Sequence, residues 1–224
     1  MSIAVNDVLG RVNTQLRDPG FIRWTRSELL GYFNDAVRSV ALKRPDATSA
    51  IIAFTCTAGV KQQLPETVYQ LIDIVGQDTG RAVVSADRVT LDTADPMWRT
   101  TTGEDTAEAW LYNPALPTYF MLYPGVAAGT GLELAVSLYP TEIELDDLDD
   151  DDPVEMPISD IYVNPVVDWC LYRAFSKDAP GQDSSQAKEH LQNYNDAMGI
   201  KNKVDKGGAQ VRATRAAGQT GVAP

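Results

Sequence analysis

Residues 24–45 read WTRSELLGYFNDAVRSVALKRP, and the fold turns on how this stretch is read. Thr25 predicts an N-cap, with Glu28 three residues on as the partner of a capping box. Trp24 before the cap and Leu29 at the fourth helical position fit a hydrophobic staple. Leu30, Phe33, Val37 and Val40 or Ala41 then line one helical face until Pro45 ends the run. Upstream, Val5, Val8, Leu9, Val12 and Leu16 share one stripe, which predicts a helix over residues 3–17. Asp18-Pro19-Gly20 stops that helix. Two short helices joined by a tight loop pack antiparallel.

A second helical pair is predicted near the other end. One helix runs from Ser159 or Pro165 to Lys177. Asn164-Pro165 serves as a cap and first-turn proline, or else one helical turn precedes Pro165. Val166, Val167, Trp169, Cys170, Leu171, Tyr172, Ala174 and Phe175 make this helix apolar nearly all round, so most of its sides are buried. The next helix covers 184–198, with a stripe of Ala187, Leu191, Tyr194 and Met198, a cap at Asp183 or Ser184, and Gly199 as its stop.

The middle of the chain reads as β. Segments 49–57 and 68–75 are rich in β-branched and aromatic residues, and residues 107–112 and 118–123 flank a turn, NPALP. Leu132, Leu134, Val136 and Leu138 alternate with Glu133, Ala135, Ser137 and Tyr139 in a strand over 131–139. Residues 87–94 suggest a short helical turn. The predicted fold is α+β. It comprises a bundle of about four helices, a small antiparallel β insertion between helices two and three, and an extended C-terminal arm. The expected divisions are 1–48 (first helical pair), 49–156 (β-rich insertion with an acidic loop), 157–200 (second helical pair) and 201–224 (basic arm).

Charge divides the chain. The whole sequence is net −12. Residues 201–224 hold Lys201, Lys203, Lys206, Arg212 and Arg215 against Asp205 alone, a net of +4 that leaves −16 for residues 1–200. This segment has no Leu, Ile, Met or aromatic residue, so it buries too little apolar surface to offset its own ordering entropy. It either stays mobile or takes shape on a partner, and its contrast with the acidic body favours an assembly protein over a self-contained enzyme. The acidic run EIELDDLDDDDPVEMP carries Asp146, Asp147, Asp149, Asp150, Asp151 and Asp152, whose mutual repulsion predicts an exposed loop. A calcium loop on Asp147, Asp149 and Asp151 is the alternative, but Asp152 stands where the turn needs Gly and Ile158 where a bidentate Glu belongs. A net negative chain does not suit a nucleic-acid coat. The absence of a leader pattern and of a membrane-length apolar run leads to an expected soluble product of a reducing cytoplasm.

No convergent catalytic set emerges. His190 is the single histidine, and it lies beside an apolar stripe. Cys56 and Cys170 sit in apolar surroundings with no activating neighbour and read as buried thiols. No phosphate-binding glycine loop occurs, and the two cysteines do not have metal-ligand spacing. A carboxylate-only, metal-dependent enzyme would have to use Asp73, Asp87, Asp92 or the acidic run, and nothing singles these out. No catalytic residue, cofactor or metal site is assigned.

DVLGRVNTQLRD followed by RWTRSELLGYFNDAVRSVALKRPDA resembles the first helical pair of the head-to-tail adaptor (connector) proteins of tailed bacteriophages. VVDWCLYRAFSKDA followed by HLQNYNDAMG resembles the second pair, and QLPETVYQLIDIV and DPMWR fit the region between. The resemblance covers about residues 5–200. It implies a structural virion protein at the capsid–tail vertex, made in the bacterial host. The implied assembly is a ring, twelvefold by expectation, under the portal protein. Such a ring joins the portal to a tail or nozzle protein and extends the channel through which DNA passes as non-specific cargo, without a membrane. Residues 201–224 would be the portal-gripping arm, and the acidic loop would face the channel or a partner. Another tail-completion or minor virion protein is the structural alternative.

Overall fold

A computed structural model describes residues 3–149, 153–177 and 185–199. The chain divides into two compact units. One comprises the described residues of Met1–Arg44 and Pro140–Pro224, and the other is Pro45–Tyr139.

The first unit is helical. It contains α1 (Val5–Leu16), α2 (Arg26–Lys43), α4 (Val163–Lys177) and a further helix, α5, over residues 185–199. The stripes read in the sequence are largely the buried ones: Val5, Val8, Leu9 and Val12 of α1, Leu29, Phe33, Val37 and Val40 of α2, and Ala187, Tyr194 and Met198 of α5 are withdrawn from solvent, while Leu191 of the α5 stripe is half-buried. Each fully buried side chain of this size contributes about 1.5–3 kcal/mol. α4 buries Val166, Val167, Cys170, Leu171 and Ala174, and a 3-10 turn (Asp160–Tyr162) leads into it, so one turn does precede Pro165. Its aromatic residues meet α5. Trp169 lies edge-on to Tyr194 at 4.9 Å between centroids, and Phe175 stacks on His190 at 5.7 Å.

The α2 start is capped on one side only. Thr25 Oγ1 accepts from Glu28 N at 3.2 Å. The Glu28 carboxylate does not turn back to the cap. It accepts from Tyr32 OH and from Lys177 Nζ, both at 2.7 Å, and so ties α2 to α4.

The second unit corrects the predicted architecture. A helical bundle with one small antiparallel insertion does not describe the molecule, because this unit holds two sheets. The first has the order β1–β7–β3, with β1 Ser49–Thr55, β3 Val68–Gln77 and β7 Gly131–Leu138. The second has the order β2–β6–β5–β4, with β2 Gly59–Gln63, β4 Val84–Ser85, β5 Ala109–Tyr112 and β6 Tyr119–Val126. It is not purely antiparallel, since β4 pairs parallel with β5. The described residues thus form five helices and seven strands, a mixed α+β fold, with α3 (Arg88–Ala94) as the fifth helix.

The two sheets need each other because each has one strongly apolar face. Leu71, Leu132, Leu134 and Val136 of the first meet Trp110, Phe120, Leu122 and Val126 of the second in one core. Phe54 packs edge-on to Phe120 at 5.5 Å. A smaller cluster of Val60, Trp98 and Leu111, joined by Leu91 of α3, lies apart from that core. β2 (GVKQQ) went unread because it is polar and short, and its pairing with β6 is what makes it a strand.

Candidate assembly site

The acidic run is the candidate surface that the described residues reach in part, and two apolar anchors and a buried asparagine hold it. Ile143 and Leu148 are buried at 6% and 4% exposure, while Glu142, Glu144, Asp146 and Asp147 between and beside them are exposed. Asn34 sits on the apolar face of α2 and clamps the segment from both sides. Its Nδ2 donates to Ile143 O at 2.9 Å, and its Oδ1 accepts from Ile143 N at 3.2 Å. Leu148 O accepts from Asn6 Nδ2 at 3.1 Å and from an Arg26 guanidinium nitrogen at 3.2 Å. Arg38 pairs with Glu142. A 3-10 turn runs over Asp146–Asp149, and Asp147 Oδ2 accepts from Glu144 N at 2.8 Å. Past the run the chain is tied again: Val5 N donates to Val154 O and Met156 N to Ile3 O, both at 2.9 Å.

This geometry turns an acidic sequence into a surface. The carboxylates stand in solvent, where their hydration is kept, and the main chain beneath them is fixed by buried contacts. Of the residues assigned to this loop, Asp146 and Asp147 are on the described surface and Asp149 closes the turn. Asp150, Asp151 and Asp152 lie outside the described residues. So do all five basic residues of the expected arm, Lys201, Lys203, Lys206, Arg212 and Arg215. Sequence reasoning missed Asn34, Asn6 and Arg26 as the anchors. The available signal was Asn34 itself, a polar residue inside the α2 apolar stripe.

The other reactive side chains are structural. His190 Nδ1 lies 2.8 Å from Asp168 Oδ1 and fastens α5 to α4. Tyr194 OH meets Ser39 Oγ at 2.7 Å, and Lys43 Nζ stands 4.3 Å over the Tyr194 ring while donating to Asn195 Oδ1. Burial pushes the Cys56 thiol up to about 11 and raises that of Cys170 as well, so both stay protonated at neutral pH. Among the described residues no group of three or more His, Cys, Asp or Glu side chains is placed to hold a metal ion. No helix among them is long and apolar enough to cross a membrane.

The described part of the acidic run is therefore a charged surface on a fixed main chain. The chain belongs to the SU10 adaptor protein family, whose model matches residues 3–219. This is a family of phage head-to-tail adaptors, so the protein is a structural adaptor of the virion that contacts other virion components, and the family implies a role without catalysis. No curated protein matches the chain.

Proposed function

We propose that the protein forms a ring, twelvefold by expectation, beneath the portal protein. The ring joins the portal to a tail or nozzle protein and continues the DNA channel at the capsid–tail vertex. The observation that carries this reading is the charge split within an adaptor sequence, −16 over residues 1–200 and +4 over 201–224. A conduit for DNA functions best when it does not grip phosphate, and a negative surface lets the duplex slide. The anchored run of exposed Glu142, Glu144, Asp146 and Asp147 supports a surface of that kind, facing the channel or a partner. Residues 201–224 then act as the arm that binds the portal, through Lys201, Lys203, Lys206, Arg212 and Arg215, and gain order on its surface. In a closed ring each copy offers two different faces to its neighbours.

The test is truncation. A chain ending at residue 200 should stay folded and soluble but fail to attach to portal-containing capsids. Attachment at the level of the full chain would refute the arm.

A further inference from the structure

Sheet edges expose unpaired amides and carbonyls, and proteins blunt them with bulges, charge, bound side chains or brevity. Three of the four edges here are blunted. β3 has three register shifts, and its amides are occupied: Leu71 N donates to Tyr112 OH, Ile74 N to Asp73 Oδ1 and Gln77 N to Arg81 O. β2 is broken by a shift between Gly59 and Lys61 and carries the exposed Lys61. β4 is two residues long. β1 has none of these devices. Its seven residues, SAIIAFT, contain no charge and no proline, and pair with β7 in unbroken register from Ser49↔Ser137 to Thr55↔Gly131. Cys56 N donates to Thr130 O, so the even-numbered residues turn their backbone groups toward β7. Ser49, Ile51, Ala53 and Thr55 turn theirs outward at the open edge. The side chains at this edge are also unfinished. Ile52 and Phe54 pack on the core yet remain half-buried, and Ile51 is 68% exposed.

We propose that β1 pairs antiparallel with β1 of a second copy of this chain, about a two-fold axis at Ile52. This register alone pairs all seven residues, and it uses the outward amides of the odd positions. Ala50 falls opposite Phe54 and Ile51 opposite Ala53, small against large, with Ile52 opposite itself. Charge does not oppose an identical partner at this place. Two copies of a chain of net −12 repel one another, whereas residues 47–60 carry no charge, so like charges are not opposed along the strip. The product is one six-stranded sheet, β3–β7–β1–β1–β7–β3. A single strand pair buries less than the roughly 1,000 Å² that a lasting interface needs, so the dimer is a concentration-dependent state of the free chain. It is independent of the portal-binding reading.

Sedimentation of the full chain from micromolar to near-millimolar concentration should show a monomer–dimer equilibrium. Ala53→Pro removes one outward amide and keeps the bonds to β7, so it should retain the wild-type melting temperature and weaken dimerisation about tenfold or more. Ile51→Lys changes an exposed side chain and should weaken it too, which keeps the test open if the proline variant does not fold. Under oxidation Ile52→Cys should yield a covalent dimer, because that position faces itself, and Ala50→Cys should not. A wild-type chain monomeric throughout would overturn the proposal. So would association unchanged in folded Ala53→Pro or Ile51→Lys, or Ala50→Cys cross-linking as readily as Ile52→Cys.

Discussion

The carboxylate of Asp18 takes three amides in the turn between α1 and α2: Oδ1 accepts from Ile22 N, and Oδ2 from Arg23 N and Trp24 N. The Trp24 amide foremost, with those of Ile22 and Arg23 and the nearby Arg23 charge, holds its pKa below the ordinary carboxylate value, against the opposing effect of burial. A carboxyl group depressed on folding stabilises the fold above its unfolded pKa, and that stability is lost as pH falls through the folded value. Asp18→Asn should therefore lower the melting temperature at pH 7, and the gap from wild type should close as pH drops below about 4. Thermal melts across that range would check it. Thr25→Ala should cost about 1 kcal/mol by urea unfolding, the usual worth of a cap. That α1 stops ahead of Asp18 was legible from Asp18-Pro19-Gly20. The hold of Asp18 on the amides was not, because it depends on backbone turns such as Phe21 at φ 51°.

The helices were readable because a stripe of period 3.6 is local information, and α1, α2, α4 and α5 all appear within a few residues of their predicted spans. The strand at 131–139 was equally plain. What joins elements was not legible. β7 lies between β1 and β3, so the best strand in the sequence is a hub whose partners begin far upstream. The acidic run showed its charge but not its anchorage. Asn34→Ala should leave both Ile143 backbone groups without their buried partner, at a cost of about 1–3 kcal/mol. It should also speed cleavage by a glutamate-specific protease at Glu142 and Glu144, visible by gel. Between α2 and α5, Tyr194→Phe removes the Ser39 hydrogen bond and should cost about 0.5–1.5 kcal/mol in urea unfolding. The ring stays packed on Trp169 in that variant.

For the whole molecule, the charge division is the property that assembly would use. If residues 201–224 hold the portal by charge, then replacing Lys201, Lys203, Lys206, Arg212 and Arg215 with Gln should weaken capsid attachment. The salt dependence of what attachment remains should flatten, because screening has fewer pairs left to act on. Capsid pull-down across a salt series measures both. An unchanged salt slope would show that charge does not hold the arm.

From the sequence by itself came the four long helices, the single best strand, the buried thiols and the uneven spread of charge. Each is written in neighbouring residues or in simple counts. The tertiary structure decided that the β region is a two-sheet unit with its own core, that Asn34 pins the acidic run, and that, among the described residues, β1 alone keeps an open edge. Those facts arise from pairings between residues far apart in the chain. Strand partners and buried polar clamps are selected by which faces can be covered together, and no local pattern encodes that choice.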